Sequence, residues 1–453
     1  MNIDDQITNY LDAKVRSKNN YLDFQGENMN YSTHKYHDYP ATMIPKLPEL
    51  FINAVESAKK VESLYDPFMG SGTTLVEGIR KGIWSTGVDL NPLAVLMSKV
   101  KTKKLDQLAL RRALDNIYKG IIIEQEKLEQ GHLKLNVPDF KNINYWFKPE
   151  VIRNLQIIKD QILKIRNNDI RNFFWITFSS TVRYVSNTRN SEFKMYRISP
   201  NMLEKWQPNV IESFKNYSER NVYLNSLLTT PSVTAKTIFG TSQSIPEISD
   251  NTFDLLITSP PYGDSKTTVA YGQFSRTSLQ WLNLDDYPAK NVPKLDRLLL
   301  GGVLSDKELK RMPSKTLNEI IDKINTKDHK RALEVLQFYD DLFLVLKETL
   351  RVMKPNSYQF WVTANRTVKG IILPTNTIIT ELYDSLGVKK IAEYTRNIVN
   401  KKMPSKNSPS NIKGNVSSTM KQENITLYKT IKWMSQVNNI KRTSSFKKNE
   451  IHP

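Results

Sequence analysis

The strongest constraint on the fold is a strand–turn–helix–strand–helix pattern between residues 61 and 100. Residues 61–66 are predicted to form a short buried strand, which ends at Pro67 and a glycine turn. Apolar residues then recur at helical spacing: Leu75, Val76, Ile79 and Ile83. A second strand is predicted at 84–89, and Asn91-Pro92 after it is typical of a helix start. This alternation predicts a parallel sheet with crossover helices.

Beyond residue 100, some stretches continue the alternation of strands and helices and others do not. Residues 105–228 are mainly helical by pattern and rich in Asn, Lys and Arg, which predicts a large insertion. The α/β rhythm resumes with a strand at 253–258. A helix is then predicted from apolar residues that end before Pro355: Tyr339, Leu342, Leu346, Leu350 and Met353. The last strands are predicted at 358–362, 390–397 and 424–429.

The segment from Asp66 to Thr73 lies where open α/β sheets bind ligands, at the carboxyl end of a strand. Gly70 and Gly72 allow the backbone to approach a ligand closely. Asp89 follows Gly72 by 17 residues, near the ~20 expected of a carboxylate that holds a ribose diol. The spacing favours an adenosine-containing cofactor over a simple turn.

A second turn, Ser259-Pro260-Pro261-Tyr262, ends the strand at 253–258. Two prolines stiffen the chain and remove two N–H donors, so carbonyls can face a ligand. Ser259 offers a hydroxyl and Tyr262 a flat face for a base. Hydrogen bonds from an exocyclic base amine to Ser259 and to a proline carbonyl would draw its lone pair out of conjugation. The amine could then attack a methyl donor without a covalent enzyme intermediate.

These residues resemble the amino-directed DNA methyltransferases of restriction–modification systems. The resemblance covers roughly 34–100 and 238–430 and implies a Rossmann-like class I methyltransferase fold with a largely parallel seven-stranded sheet. It implies S-adenosyl-L-methionine (AdoMet) as cofactor. It implies a cofactor site with these members: Tyr39, Pro40, Ala41, Asp66, Pro67, Phe68, Gly70, Ser71, Gly72, Thr73, Asp89 and Asn91. The catalytic residues would be Ser259, Pro260, Pro261 and Tyr262.

Family members with Ser first in the catalytic motif usually methylate cytosine N4, which is our expectation here. The alternatives are an adenine-N6 DNA methyltransferase, an RNA guanine-N2 methyltransferase and an inactive DNA-binding protein with this fold. The family often has Gly-Asp before the catalytic strand, where this chain has Phe239-Gly240-Thr241-Ser242. Adenine would therefore be recognised through a hydroxyl or the backbone.

The predicted partner is double-stranded DNA with a flipped target base, and a cognate endonuclease could belong to the same system. Asp264, Ser265 and Thr267 are expected to shape the pocket or to meet the flipped nucleotide. Arg189, in the stretch 186–194, is either a DNA contact or part of a solvated loop. The basic loop with Lys401, Lys402 and Lys406 is expected to hold phosphates.

The domain expectation follows from these assignments. Residues 1–104 would carry the AdoMet site, and 105–235 a mainly helical insertion that could read DNA. Residues 236–435 would be the catalytic part, with a second recognition segment at 283–335. Residues 436–453 would be a disordered basic tail.

The composition agrees with these expectations. The net charge of +19 favours an anionic partner. No cysteine is present, which excludes a thiolate nucleophile and with it the covalent route to cytosine C5 methylation. With five histidines, all scattered, we expect no metal site. Neither a membrane span nor an export signal is indicated, so the expected location is the cytoplasm.

Overall fold

The structure is a computed structural model. It describes residues 1–189, 193–229, 231–263, 269–285, 287–304, 308–399, 406–407, 417–418 and 421–431. The helices and strands in this part of the chain have the following bounds. The α-helices are α1 (Ile3–Ser17), α2 (Lys46–Glu56), α3 (Thr73–Arg80), α4 (Pro92–Lys101), α5 (Gln107–Glu129), α6 (Ile143–Trp146), α7 (Pro149–Leu163), α8 (Asn168–Val185), α9 (Pro200–Lys205), α10 (Val210–Ser226), α11 (Tyr271–Leu282), α12 (Leu295–Leu298), α13 (Lys315–Asn325), α14 (His329–Val352) and α15 (Thr375–Asp384). The strands are β1 (Ser63–Asp66), β2 (Trp84–Asp89), β3 (Ala235–Phe239), β4 (Phe253–Thr258), β5 (Met353–Thr363), β6 (Arg366–Val368), β7 (Ile371–Leu373), β8 (Val388–Asn397), β9 (Lys406–Asn407), β10 (Ser417–Ser418) and β11 (Gln422–Thr430). Short 3₁₀ helices lie at Tyr21–Asp23, His34–Tyr36 and Ala289–Lys294.

Among the described residues, seven strands form one sheet in the order β3-β2-β1-β4-β5-β11-β8. The strands from β3 to β5 pair in parallel, and β11 pairs antiparallel with both β5 and β8. The predicted α/β class with a largely parallel, Rossmann-like seven-stranded sheet is therefore confirmed.

The strand order reverses at β1, which pairs with β2 on one side and β4 on the other. The chain leaves β1 towards β2, passes through the long helical stretch to β3 at the edge, and then returns to the other side of β1 at β4. The connections therefore run off in opposite directions and leave a crevice at the carboxyl ends of β1 and β4, where open α/β sheets bind ligands.

Both faces of the sheet are covered, as a central parallel sheet requires. Along β1, Leu64 belongs to the core on one face and Tyr65 to the core on the other. Strand β4 alternates in the same way, with Leu255 on the first face and Leu256 on the second. Burial of alternate residues on opposite faces fixes the register, because a shift by one residue would exchange the two faces.

Helices α5 to α10 fill most of 105–228, and they pack against α4 and α11 in a third core. Fully buried aromatic residues dominate this core: Phe147, Phe173, Phe174 and Trp281. The helical pattern of the sequence is thus seen in the structure, while the domain boundaries and a DNA-recognition role of 105–235 stay predictions.

Strand β3 and both ends of helix α14 differ from the sequence pattern, since α14 ends at Val352 and Met353 and Pro355 belong to β5. Strand β3 was not predicted, because it is an edge strand whose burial is only partial and whose sequence, Ala-Lys-Thr-Ile-Phe, has no clear alternation. Helix α14 begins at His329, earlier than its apolar pattern indicates, because the Asp328 side chain accepts a hydrogen bond from Arg331 N and caps it.

Candidate active site

Asp66, the last residue of β1, joins the ends of two neighbouring parallel strands. Its Oδ1 accepts hydrogen bonds from Phe68 N at 3.0 Å and from Thr258 Oγ1, at the end of β4, at 2.7 Å. Burial raises the pKa of Asp66 to about 6. The carboxyl group therefore titrates close to neutral pH, and it holds the glycine turn and the double-proline turn side by side.

The glycine turn between β1 and α3 depends on left-handed backbone. Gly70 has φ 47° and Gly72 has φ 81°. A Cβ on Gly72 would lie 2.7 Å from Ser98 Oγ and 2.9 Å from Ser98 Cα, so α4 leaves no room for a side chain. The Ser98 hydroxyl also donates to Gly70 O at 3.0 Å. Gly72 therefore packs against α4, while Gly70 faces the crevice.

Asp89 ends β2 and closes the second side of the turn. Its Oδ2 accepts from Gly70 N at 2.9 Å and its Oδ1 from Asn91 N at 2.7 Å. Burial raises the pKa of Asp89 to about 6. An ionised carboxylate has about four acceptor positions. Each oxygen of Asp89 therefore keeps capacity for a ligand hydroxyl.

Asn91 connects three parts of the chain on the same side of the glycine turn as Asp89. Its Oδ1 accepts from Leu93 N at 3.1 Å, which is the predicted helix cap. Its Nδ2 donates to Tyr39 OH at 3.0 Å and to Ser275 Oγ of α11 at 2.7 Å. The Tyr39 ring stacks on Tyr271, with ring centroids 5.7 Å apart. The segment around residue 40 is thereby fixed beside the glycine turn.

The double-proline turn follows β4. Ser259 is partly exposed towards the crevice, and Pro260 is buried. The Tyr262 hydroxyl lies 3.3 Å from Ser259 Oγ and donates to Glu423 Oε1 at 2.9 Å. The turn is thus held by β11, a strand distant in sequence.

The glycine turn and the double-proline turn line the same pocket. The predicted residues that line it are Tyr39, Pro40, Ala41, Asp66, Pro67, Phe68, Gly70, Ser71, Thr73, Asp89, Asn91, Ser259 and Pro261. Gly72, Pro260 and Tyr262 support this lining without being part of it. The structure therefore brings the two sequence motifs together, and the role of each residue stays a prediction.

Other lining residues were not singled out as site residues: Thr42, Met43, Met69, Thr74, Leu90, Gly240, Thr241, Ser242, Gly263, Tyr271, Leu299, Leu300 and Val345. A signal existed for Gly240 to Ser242, which follow a strand at the ligand-binding edge. The Ser242 hydroxyl donates to Pro67 O and ties this loop to the glycine turn. No local pattern marks Leu299, Leu300 or Val345.

The pocket suits a nucleoside-type ligand. Ser71 Oγ is buried without a hydrogen-bond partner, so a polar group of a ligand would satisfy it. Asp89 has free acceptor capacity for hydroxyls, and the aromatic and apolar lining of Phe68 and Leu90 can cover a ring. The residues present therefore fit the expected adenosine-containing cofactor.

The remaining predicted residues lie away from this pocket or outside the described residues. Arg189 is exposed, and its guanidinium lies 6.0 Å from the Tyr196 ring centroid. Asp264, Ser265, Thr267, Lys401 and Lys402 fall outside the described residues, as does the tail at 436–453. Lys406 pairs with Ser418 in a two-residue strand, and its side chain is not described.

Two further properties can be stated of the described residues, one concerning metals and one concerning membranes. Among them, no group of three or more His, Cys, Asp or Glu is placed to hold a metal ion, and the expected lack of a metal site stays a prediction. In the same part of the chain, no helix has the length and apolar character needed to cross a membrane.

Two curated relatives resemble the chain over most of its length, and a third resembles a short part of it. Type II methyltransferase M.MvaI of Kocuria varians is 46% identical over 441 residues, which cover 94% of this chain and 97% of that protein. Type II methyltransferase M.BsoBI of Geobacillus stearothermophilus is 24% identical over 433 residues, 81% of each chain. Type II methyltransferase M.MjaII of Methanocaldococcus jannaschii is 40% identical over 81 residues, 18% of this chain and 15% of that protein.

Solved structures resemble the chain weakly, and no family model matches it. A SAM-dependent methyltransferase from Methanosarcina mazei has a TM-score of 0.28 at 9% identity, covering 82% of this chain and 94% of that one. The rRNA methyltransferase aviRa from Streptomyces viridochromogenes has a TM-score of 0.30 at 8% identity, covering 87% and 88%. These scores are too low to support the fold, which the strand order supports instead.

Proposed function

Because the chain belongs to the Type II methyltransferases, we propose that it methylates the exocyclic N4 amino group of a cytosine flipped out of double-stranded DNA, with AdoMet as methyl donor. The observation that carries this proposal is the shared pocket. The glycine turn with Gly70 and the double-proline turn with Ser259 both line it. A cofactor held by the first turn would therefore meet a base held by the second.

The proposed cofactor contacts come from the glycine-turn side. Asp89 would accept hydrogen bonds from the ribose hydroxyls, since an ionised carboxylate that already accepts from Gly70 N and Asn91 N keeps further acceptor positions. Tyr39 and Tyr271 stack and form a rigid wall, fixed by the hydrogen bond from Asn91 to Tyr39. When bound, AdoMet supplies an electrophilic methyl group. The protein's part is to position that group and to exclude water.

The proposed base contacts come from the double-proline side. Ser259 Oγ and a proline carbonyl would accept the two amine N–H groups and draw the nitrogen lone pair out of conjugation. Proline nitrogens carry no hydrogen, so Pro260 and Pro261 add no donor that could compete for these acceptors. Tyr262 would offer its ring to the flipped base. Methyl transfer to the nitrogen would break the methyl–sulfur bond of the donor and release one amine proton, while the protein contributes positioning and electrostatic stabilisation.

A DNA partner agrees with the net charge of +19 and with exposed cation–aromatic pairs in the insertion. Arg197 lies 4.0 Å from the centroid of Tyr145, which is 45% exposed. Met195 N donates to Gln273 Oε1 at 3.5 Å, so this segment contacts the helix whose first residue, Tyr271, lines the pocket. We infer that 105–235 holds DNA next to the pocket.

The segment 283–335 is the second recognition candidate, and Leu299 and Leu300 from it line the pocket. Basic side chains such as Arg189 would bind phosphates, and polar side chains would read base edges. A cognate endonuclease and a cytoplasmic site of action belong to the same proposal, since a restriction–modification system protects host DNA.

The test is transfer of labelled methyl from AdoMet to unmethylated duplex DNA, followed by mass spectrometry of the nucleosides. N4-methylcytosine is expected. Ser259→Ala should lower kcat roughly a hundredfold or more, as loss of one polar group at a reacting centre does, with AdoMet affinity unchanged. Ser385→Ala is a matched control, since Ser385 caps α15 through Leu382 O and is not in the pocket lining.

Three outcomes would contradict parts of the proposal. N6-methyladenine as sole product would exclude the cytosine assignment. No methyl transfer to any DNA would favour an inactive DNA-binding protein. Full activity of Ser259→Ala would remove Ser259 from the reaction.

A further inference from the structure

Tyr262 connects Ser259 to an ion pair on two neighbouring strands. Its hydroxyl lies 3.3 Å from Ser259 Oγ and donates to Glu423 Oε1 at 2.9 Å. Arg396 Nη1 donates to the other oxygen, Glu423 Oε2, at 2.6 Å. The contacts form a chain in the order Ser259–Tyr262–Glu423–Arg396, which we call the Glu423 chain.

The Glu423 chain has one allowed direction. A carboxylate paired with a guanidinium accepts hydrogen bonds and does not donate them. A tyrosine hydroxyl has a single hydrogen, and here Tyr262 gives it to Glu423. In the contact with Ser259, Tyr262 can therefore only accept, so Ser259 must be the donor. With its hydrogen turned to Tyr262, Ser259 Oγ has only lone pairs left for the pocket.

This direction is what a base amine requires. An exocyclic amino group presents N–H donors, which need an acceptor, and a serine hydroxyl otherwise rotates freely between donating and accepting. We propose that Glu423 is a positioning residue that fixes Ser259 as a hydrogen-bond acceptor for the target amine. This inference rests on the proposed function and extends it to residues that no sequence motif marks.

The surroundings hold Glu423 in one geometry. Glu423 and Arg396 are cross-strand partners in the β11–β8 ladder, and their side chains are only 14% and 7% exposed. Arg396 Nε also donates to Leu22 O at 3.0 Å, and Asn397 N donates to Asp23 Oδ1 at 2.6 Å. A mostly buried ion pair is weak evidence for stability, because desolvation offsets the attraction. Its fixed geometry is the property that the Glu423 chain uses.

The test is single-turnover methyl transfer to a duplex DNA that the wild-type protein methylates. Glu423→Gln keeps the size of the side chain, but its amide can donate as well as accept, so Ser259 is no longer restricted. Tyr262→Phe keeps the ring and removes the hydroxyl. Each variant should slow transfer roughly tenfold to a hundredfold, the range for loss of a hydrogen bond to a charged group, with Kd for AdoMet and for DNA unchanged.

The double variant separates this role from a structural one. Without the Tyr262 hydroxyl, Glu423 has no route to Ser259, so Glu423→Gln should slow Tyr262→Phe no further. Glu393→Gln is the matched control, since Glu393 of β8 also pairs with a cation, Lys390, and should transfer methyl at the wild-type rate. If Glu423→Gln fails to fold, Tyr262→Phe alone tests the Glu423 chain.

Two results would overturn the inference while leaving the proposed function intact: wild-type rates in Tyr262→Phe or Glu423→Gln, or an equal further loss from Glu423→Gln in the Tyr262→Phe background. A wild-type protein that transfers no methyl group to DNA would overturn both the inference and the proposed function.

Discussion

Replacing Asp89 by asparagine tests the cofactor half of the pocket. In the wild-type protein, separate oxygens of Asp89 accept from Gly70 N and Asn91 N. Asparagine has one acceptor oxygen and one donor group, so one backbone N–H would face a donor, and a ribose hydroxyl would lose its charged acceptor. Such a loss costs about 1.5–3 kcal/mol, so the Kd for AdoMet should rise roughly tenfold to a hundredfold.

The pH dependence gives this prediction a second signature. Burial raises the pKa of Asp89 to about 6. If the ionised form holds the ribose hydroxyls, about one carboxyl group in ten is ionised at pH 5, and AdoMet affinity should fall about tenfold between pH 7 and pH 5. Asp89→Asn should lack this component of the slope.

The contribution of Asp89 to folding stability changes with pH in the opposite direction to AdoMet affinity. The folded-state pKa lies above the unfolded value of 3.8, so the folded state binds the proton more tightly. The burial penalty on the charged form is present above pH 6 and is relieved as the pH falls towards 3.8. A shift of about two pKa units corresponds to about 3 kcal/mol. Loss of affinity at pH 5 therefore would not come from unfolding through Asp89.

Isothermal titration calorimetry with AdoMet between pH 5 and pH 8 measures both effects, with circular dichroism to check the fold. Asp66→Asn is the control, because a single oxygen, Oδ1, accepts from both Phe68 N and Thr258 Oγ1, and asparagine can keep these two bonds. This control should retain the Asp89 slope. Wild-type affinity in Asp89→Asn at pH 7, or an unchanged pH slope in that variant, would refute Asp89 as the ribose ligand.

Two further predictions concern the turn and the DNA surface. Gly72→Ala should lower the free energy of unfolding by about 1–3 kcal/mol, because φ is 81° and a Cβ would meet Ser98; an unchanged midpoint in urea would contradict this. Arg189→Ala should weaken binding to all DNA sequences equally and reduce the salt slope by about one, as for a phosphate contact. Fluorescence anisotropy at several salt concentrations measures this, with Lys60→Ala, before the opposite end of β1, as control; equal slopes in wild type and Arg189→Ala would place Arg189 in a solvated loop.

Much of the sheet could be predicted because its central strands are short segments that end at turn residues or helix starts. The strand at 84–89 and the cap at Asn91 appear in the structure as predicted. The edge strand β3 could not be found in this way, since a partly exposed strand has no continuous apolar run.

The residues of the candidate site also differ in whether the sequence alone could identify them. Gly70, Asp89 and Ser259 could be selected because each lies at or just after the carboxyl end of a predicted strand. Tyr271 and Leu299 could not, since they line the pocket only through the packing of α11 and of the segment after α12.

The sequence alone determined the two turns, because the φ preferences of glycine and proline act within one or two residues and need no distant partner. The tertiary structure decided what surrounds them. Tyr262 meets Glu423 across 161 residues only because β11 inserts antiparallel between β5 and β8. The order of the strands depends on how both faces of the whole sheet are buried. No local sequence pattern could therefore predict that Glu423 lies close to Ser259.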